Sequence, residues 1–356
     1  PGDALAPGVR FRVRIEEAGI GGAAEAEAPD AQYPALGGWD ELGAEDTGTV
    51  SVVLVPFRYD TDGSGRLPDT SEMQLARVED ELTSRFPYAR VDLRVHAVVP
   101  WSRSTRIGGN VDWGAVNSTL ISMRDREGAH PTEYWYGLVA PNTSRSAYCD
   151  DVYGSCVTGQ AYVATLRGSR VGSGVGFDDV ASVRTLAHEL GHEHGRYHTP
   201  CGTSGTDEDY PHRGGLIGTW GWDRRTGAFH APDVGTDMMG YCSRQWISDY
   251  TYRAMYDRQM ALRAASWSLV GAPVARRFVT VGDGDVTWGD TTELRALPGD
   301  LARGAYVDAQ GRVIAADVEI GALELAHGGE RVWVVPASAP DGAVALLVGD
   351  DRLPLP

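Results

Sequence analysis

The chain has 356 residues, of which 42% are hydrophobic and 23% charged, and its formal net charge is −17, with 32 basic against 49 acidic residues. That balance excludes a nucleic-acid partner and an anionic membrane surface, since both need a basic face. No apolar run reaches the length of a membrane span, and every basic residue is Arg, which excludes lysine chemistry such as a Schiff base.

The length exceeds what one compact core usually holds, so more than one domain is expected. The chain opens at "PGDALAPG" with neither an initiator Met nor a basic-then-apolar leader; it reads as a mature chain whose signal peptide has been removed. Residues 1–47 form an N-terminal extension rich in Gly, Ala and Pro. It has one alternating strand-like run, "VRFRVRIE" (9–16), suited to pairing with another domain, and then a connector, "GGAAEAEAPDAQYPALGG".

Residues 48–267 read as a regular α/β region. "TVSVVLVPFRYD" (49–60) is a buried-type strand. "TSEMQLARVEDELTSRFP" (70–87) is an amphipathic helix, with Met73, Leu75, Val78 and Leu82 at helical spacing and Thr70 or Ser71 as its cap. A strand at 89–99, a helix at 116–128 and strands at 133–141 ("EYWYGLVAP") and 159–166 ("GQAYVATL") follow. A long helix is predicted at 177–195 and another at 246–265. This order of elements suggests a mixed, twisted sheet with helices packed on it. From 268 to 356 the pattern becomes short strands between Gly, Asp and Pro turns, which reads as a small all-β module of sandwich type.

Two local features carry alternatives. In "DTDGSG" (60–65), Asp60, Asp62, Ser64 and Gly65 sit where a calcium loop has its first, third, fifth and sixth residues. Ser71 stands in place of the twelfth-position Glu, however, and the loop joins a strand to a helix. A tight turn is the preferred reading, with Ca²⁺ at Asp60 and Asp62 as the alternative. The four cysteines, Cys149, Cys156, Cys201 and Cys242, allow three pairings. Proximity favours Cys149–Cys156, which leaves Cys201–Cys242; as disulfides these would contribute roughly 2.5 and 4 kcal/mol by loop entropy and imply an oxidising compartment. A thiolate metal site is the alternative, although no C-x-x-C pair is present.

The densest chemical signal is "TLAHELGHEHGRYHTPC" (185–201), which holds four of the nine histidines. His188 and His192 are four apart on a predicted helix, so both rings lie on one face, one turn apart. They can share a Zn²⁺, and Glu189 can be aimed at a water rather than at the metal. Gly195 can take φ > 0, end the helix and turn the chain back, which offers His198 as third ligand. Three protein ligands leave a fourth position open, the mark of a catalytic zinc. His194 and Glu193 point to other faces and read as surface residues or supports of the site. His212 and His230 are lone loop histidines. Trp220 and Trp222 read as core packing, with an aromatic binding wall as the alternative.

The pattern H-E-x-x-H-x-x-G-x-x-H, from His188 to His198, resembles that of the metzincin zinc endopeptidases, of the secreted bacterial type. "TDMMGYC" (236–242) resembles that family's methionine turn, with Met239 in the key position. The resemblance spans roughly residues 48–265. It implies a metzincin-like catalytic domain, Glu189 as general base, Tyr241 stabilising the oxyanion, and a substrate paired with the edge strand at Ala161 and Tyr162. The sequence departs from the pattern in having Thr199 after the third histidine and a long spacing to Met239, which leaves the branch open. The implied function is a secreted peptidase of proteins, with glycoproteins as a substrate class by analogy. The alternative is a secreted glycoprotein- or matrix-binding protein that carries an inactive or targeting metzincin scaffold.

Overall fold

The computed structural model describes residues 7–14, 32–103, 105, 109–166, 168–265, 271–282, 285–326 and 330–356. The chain divides into two compact units, residues 1–48 and 49–356. In the first, the short strands β1 (Arg10–Phe11), β2 (Val13–Arg14), β3 (Gln32–Tyr33) and β4 (Asp40–Glu41) form two antiparallel pairs, β1 with β4 and β2 with β3. The run expected to pair with another domain therefore pairs inside its own unit. Residues 15–31, which hold much of the expected connector, lie outside the described residues.

The second unit begins with β5 (Thr49–Tyr59), α1 (Glu72–Arg85), β6 (Arg90–Val95), β7 (Val99–Trp101), α2 (Trp113–Arg126), β8 (Tyr134–Val139), α3 (Arg145–Asp151), β9 (Gly159–Ala161), β10 (Val171–Val175) and α4 (Val180–Glu193). The sheet order is β6-β5-β8-β10-β9, with β7 also beside β5. Every pairing is parallel except that of β9, which runs antiparallel at the edge. β5 needs its unbroken apolar run because both faces of the sheet are covered. Val53, Val55 and Phe57 join Val116 and Leu120 of α2 in one cluster, while Val52 and Leu54 join Val78 and Leu82 of α1 and Leu186 and Leu190 of α4 in the other. The helices start at side-chain caps: Ser71, Asp112, Ser144 and Asp179 each accept a backbone N–H from the first turn of α1, α2, α3 and α4.

Beyond α4 come the hairpin β11 (Gly221–Asp223) with β12 (Ala228–His230), the parallel pair β13 (Thr236–Asp237) and β14 (Gln245–Trp246), and α5 (Asp249–Ala264). The C-terminal part comprises β15 (Val274–Gly282), β16 (Asp285–Leu294), β17 (Asp300–Val307), β18 (Val313–Glu324), β19 (Arg331–Pro336), β20 (Ala345–Val348) and β21 (Asp351–Pro354). These form one antiparallel sheet, β16-β15-β19-β18-β17-β20-β21, and not the two packed sheets of a sandwich. The alternation of its strands explains why a second sheet is unnecessary. Phe278, Val332 and Val334 face the α2 cluster, while Val279, Trp333 and Val335 face a separate cluster with Tyr306, Ile320 and Leu346. One face is thus covered by the α/β region itself.

Two further expectations change. The strand predicted at 159–166 ends at Ala161, and the glycine-bearing β10, "VGSGV", is a strand the sequence pattern did not suggest. Its glycines admit close neighbours: a Cβ on Gly174 would lie 2.2 Å from the Tyr136 hydroxyl. The "DTDGSG" loop is a tight turn, with Gly63 N donating to Asp60 O. Asp62 accepts from Arg66 at 2.5 Å and from Ser64 N at 3.0 Å; the Ser64 side chain first, then Arg66 and the Ser64 backbone, hold its carboxyl down to about 2 against the opposing effect of burial. The Asp62 oxygens are engaged by protein donors, and among the described residues Asp60 and Asp62 belong to no cluster that could hold a metal ion, so the calcium reading finds no support.

Leu120 is fully buried where α2 meets the sheet and Gly137 beneath it. Leu120→Ala is expected to lower the unfolding free energy by about 2–5 kcal/mol. A loss below about 1 kcal/mol in denaturant titration would show that this layer collapses around the cavity.

Candidate metal centre

α4 lies on the sheet with its C-terminal turn beside β9 and β10, and its last two turns carry His188, Glu189 and His192. Gly195 follows with φ = 79°, a left-handed conformation in which a Cβ would also lie 2.5 Å from the Arg258 guanidinium. The chain turns back there and delivers His198. The Nε2 atoms converge: His192 to His188 is 3.1 Å and His198 to His188 is 3.2 Å. The ligand atoms of all three rings lie within 4.8 Å of one another.

The outer nitrogens fix the protonation of two of these rings. His188 Nδ1 donates to Met238 O at 2.8 Å and His192 Nδ1 donates to Arg196 O at 2.6 Å. Both rings then present a bare Nε2 lone pair inward, because a neutral imidazole carries one N–H only. Burial lowers the His188 pKa to about 4, with the bond to Met238 opposing it, so the ring is neutral. Such a cluster of acceptors repels itself unless a cation sits among the nitrogens. The donor set therefore fits a metal ion, and the carbonyls that orient the rings are the outer support such ligands require.

The segment 236–242 closes the floor. Met239 is fully buried and lies against α4 at Gly191, where a Cβ would come within 2.3 Å of its Sδ. Thr199 N donates to Met239 O, Tyr241 N donates to Cys201 O, and the disulfide Cys201–Cys242 joins the same two segments. The second disulfide is Cys149–Cys156. The Tyr241 hydroxyl lies 3.3 Å from His198 Nε2; its pKa is raised by partial burial and then by the charge of Glu189. Glu189 is buried, and its Oε2 has no hydrogen-bond partner among the described residues. Burial raises its pKa well above the usual carboxylate range, with the Ala161 backbone N–H opposing that shift.

Several residues differ from expectation. His194 and Glu193 are not on the surface: both are buried. The His194 ring stacks on Tyr134 at 4.5 Å, with Nδ1 on Leu190 O and Nε2 on the Tyr88 hydroxyl, which makes it part of the core under the helix end. Trp220 and Trp222 are not core residues. They are 64% and 51% exposed and stand with Phe229 at the hairpin of β11 and β12. His212 meets Asp249, and His230 stacks on Trp246. Ala161 and Tyr162 do not form a free edge for substrate. Both are buried, and Ala161 O already accepts from Ala326 N.

One organising residue has no counterpart in the sequence reading. Asp237 is fully buried, and its two oxygens accept the N–H groups of Met239 and Ser248, each at 2.8 Å. It holds the turn under the metal centre and the start of α5 together. An Asp two residues before a turn is the signal that identifies it.

A family model described as Peptidase M66 matches residues 113–254, from the start of α2 into α5, and this stretch includes the three histidines, Glu189, Met239 and both disulfides. The match indicates a peptidase domain and supports a metallopeptidase. No curated protein matches the chain. A solved structure titled "Structure of a chaperone-substrate complex" is similar over 63% of this chain at 14% identity and a TM-score of 0.30, a likeness too low to bear on the fold; the chain spans 36% of that protein's length. Among the described residues no helix is long and apolar enough to cross a membrane.

Asp237→Ala orphans two buried backbone N–H groups. It is expected to lower stability by about 2–4 kcal/mol, measured by denaturant unfolding; wild-type stability would show that the carboxylate does not hold the turn.

Proposed function

We propose that this chain is a zinc-dependent endopeptidase of metzincin type, with His188, His192 and His198 as zinc ligands, Glu189 as general base and Tyr241 as oxyanion donor. The observation that carries the reading is the convergence of the three histidine Nε2 atoms, with Nδ1 of His188 and His192 bonded to backbone carbonyls. The peptidase family match over the same residues supports it. Zinc bound at this centre would activate a water for attack and polarise the scissile carbonyl. Glu189, beside the centre, would accept a proton from the attacking water and return it to the leaving amine as general base. The Tyr241 hydroxyl, still protonated at neutral pH, donates to the oxygen on which charge develops. Met239 supports the ligand helix from below through its contact at Gly191.

The disulfides fit an oxidising, extracellular setting. For the substrate we propose a protein, with glycoproteins as the finer class. The exposed faces of Trp220, Trp222 and Phe229 give an aromatic surface at the hairpin of β11 and β12, and exposed patches of this kind mark interaction sites.

Glu189→Ala is expected to lower turnover of a cleavable protein by at least about 10²-fold while fold and zinc content stay at wild-type levels. A chelator should abolish turnover, and added zinc should restore it. Full turnover in either case would contradict the mechanism. Tyr241→Phe should lower kcat by about 10²-fold with KM little changed. An unchanged kcat would remove Tyr241 from the mechanism.

A further inference from the structure

β9 is buried along its length, and among the described residues its outer edge is hydrogen-bonded to another segment at one end only. β9 faces β10 with Gly159 opposite Gly174, Gln160 opposite Ser173 and Ala161 opposite Gly172. Val175 N donates to Thr158 O, so Thr158 and Gln160 direct their backbone groups inward, and alternation turns those of Gly159 and Ala161 outward. Gly159 sits at the general base: a Cβ there would lie 2.9 Å from Glu189 Oε1. At Ala161 the outward carbonyl accepts Ala326 N at 3.2 Å, and Val163 N donates to Glu324 O at 2.9 Å. Tyr162 and Leu325 form the antiparallel bridge between these bonds.

Residues Glu324–Ala326 are where the chain runs off the end of β18, and they lie against β9 as an extended peptide would. They are firmly held. Leu325 is 3% exposed and packs in the same apolar cluster as Tyr162. The Glu324 carboxylate accepts from the hydroxyl of Tyr197, the residue before His198, at 2.7 Å.

We propose that Glu324–Ala326 end the substrate groove and so determine specificity. An extended polypeptide can pair with β9 at Gly159, beside Glu189, but not past it. Recognition on that side of the scissile bond is therefore confined to the residues next to the cut, and the chain must leave the sheet edge there. Among the described residues the opposite side has no such strand at the β9 edge, so sequence preference is asymmetric about the cut. This inference rests on the peptidase reading above.

The test is a cleavage profile of wild type and Ala326→Pro on a peptide library randomised at several positions on each side of the cut, with Glu189→Ala as the blank. Ala326→Pro removes the N–H that Ala161 O accepts. Wild type should show preference that stops next to the cut on one side. Ala326→Pro should extend it on that side and favour peptides that fill the new positions by about tenfold, as a single pocket can. In parallel, hydrogen exchange on Glu189→Ala, which does not depend on activity, should find the Val163 and Ala326 amides protected both with and without saturating library. Glu189-dependent cuts with preference extending equally on both sides, or exchange of those amides at the rate of an unfolded chain, would overturn this inference alone. The absence of any Glu189-dependent cut would overturn the peptidase reading, and this inference with it.

Discussion

Three imidazole nitrogens meet within 4.8 Å of one another, and the rest of the structure is arranged around that meeting. Two carbonyls, Met238 O and Arg196 O, orient the rings of His188 and His192. With their protons held outward, these rings turn lone pairs towards one another, an arrangement that is unfavourable by itself and favourable around a cation. Much of the surrounding structure serves those two carbonyls. Arg196 O is where it is because Gly195 takes a conformation that returns the chain under α4. Met238 O is where it is because Asp237 and the contact of Met239 with Gly191 shape the turn.

The third histidine is secured differently. His198 lies in an irregular segment with no helix to hold it. The segment is joined to the turn by the bonds from Thr199 N to Met239 O and from Tyr241 N to Cys201 O, and then by the Cys201–Cys242 disulfide. His198 and Tyr241 are therefore tied to one another through these links. Beneath them α4 is fixed by the two-faced sheet, whose far side is covered by α2 and the C-terminal sheet. The C-terminal strands thus form part of the body that holds the site, and the run from Glu324 to Ala326 reaches the edge of β9 itself.

The legible parts of the sequence were those governed by local rules. Helix positions followed from apolar spacing and caps, as with Ser71 for α1. The i, i+4 spacing put His188 and His192 on one face, and Gly195 announced the turn. Sequence proximity gave the Cys149–Cys156 pair. The parts that escaped are those decided by distant partners. β10 was hidden because its glycines answer to the bulk of Tyr136 and Glu193 and not to strand propensity. His194 read as a surface residue or a support of the site because nothing nearby in sequence reveals that Tyr88 and Tyr134 enclose it. The single C-terminal sheet looked like a sandwich because alternation reports two covered faces without saying what covers them. The pairing at Ala161 joins residues 165 apart in sequence, since Ala326 N donates to Ala161 O, and no local pattern encodes it.

The measurement that tests the central claim most directly is X-ray absorption at the zinc edge on the purified chain, together with its metal stoichiometry. The account predicts one zinc per chain in a first shell of light ligands with three imidazole nitrogens at about 2.0–2.1 Å. No stoichiometric zinc, or a shell that contains sulfur at about 2.3 Å, would contradict it.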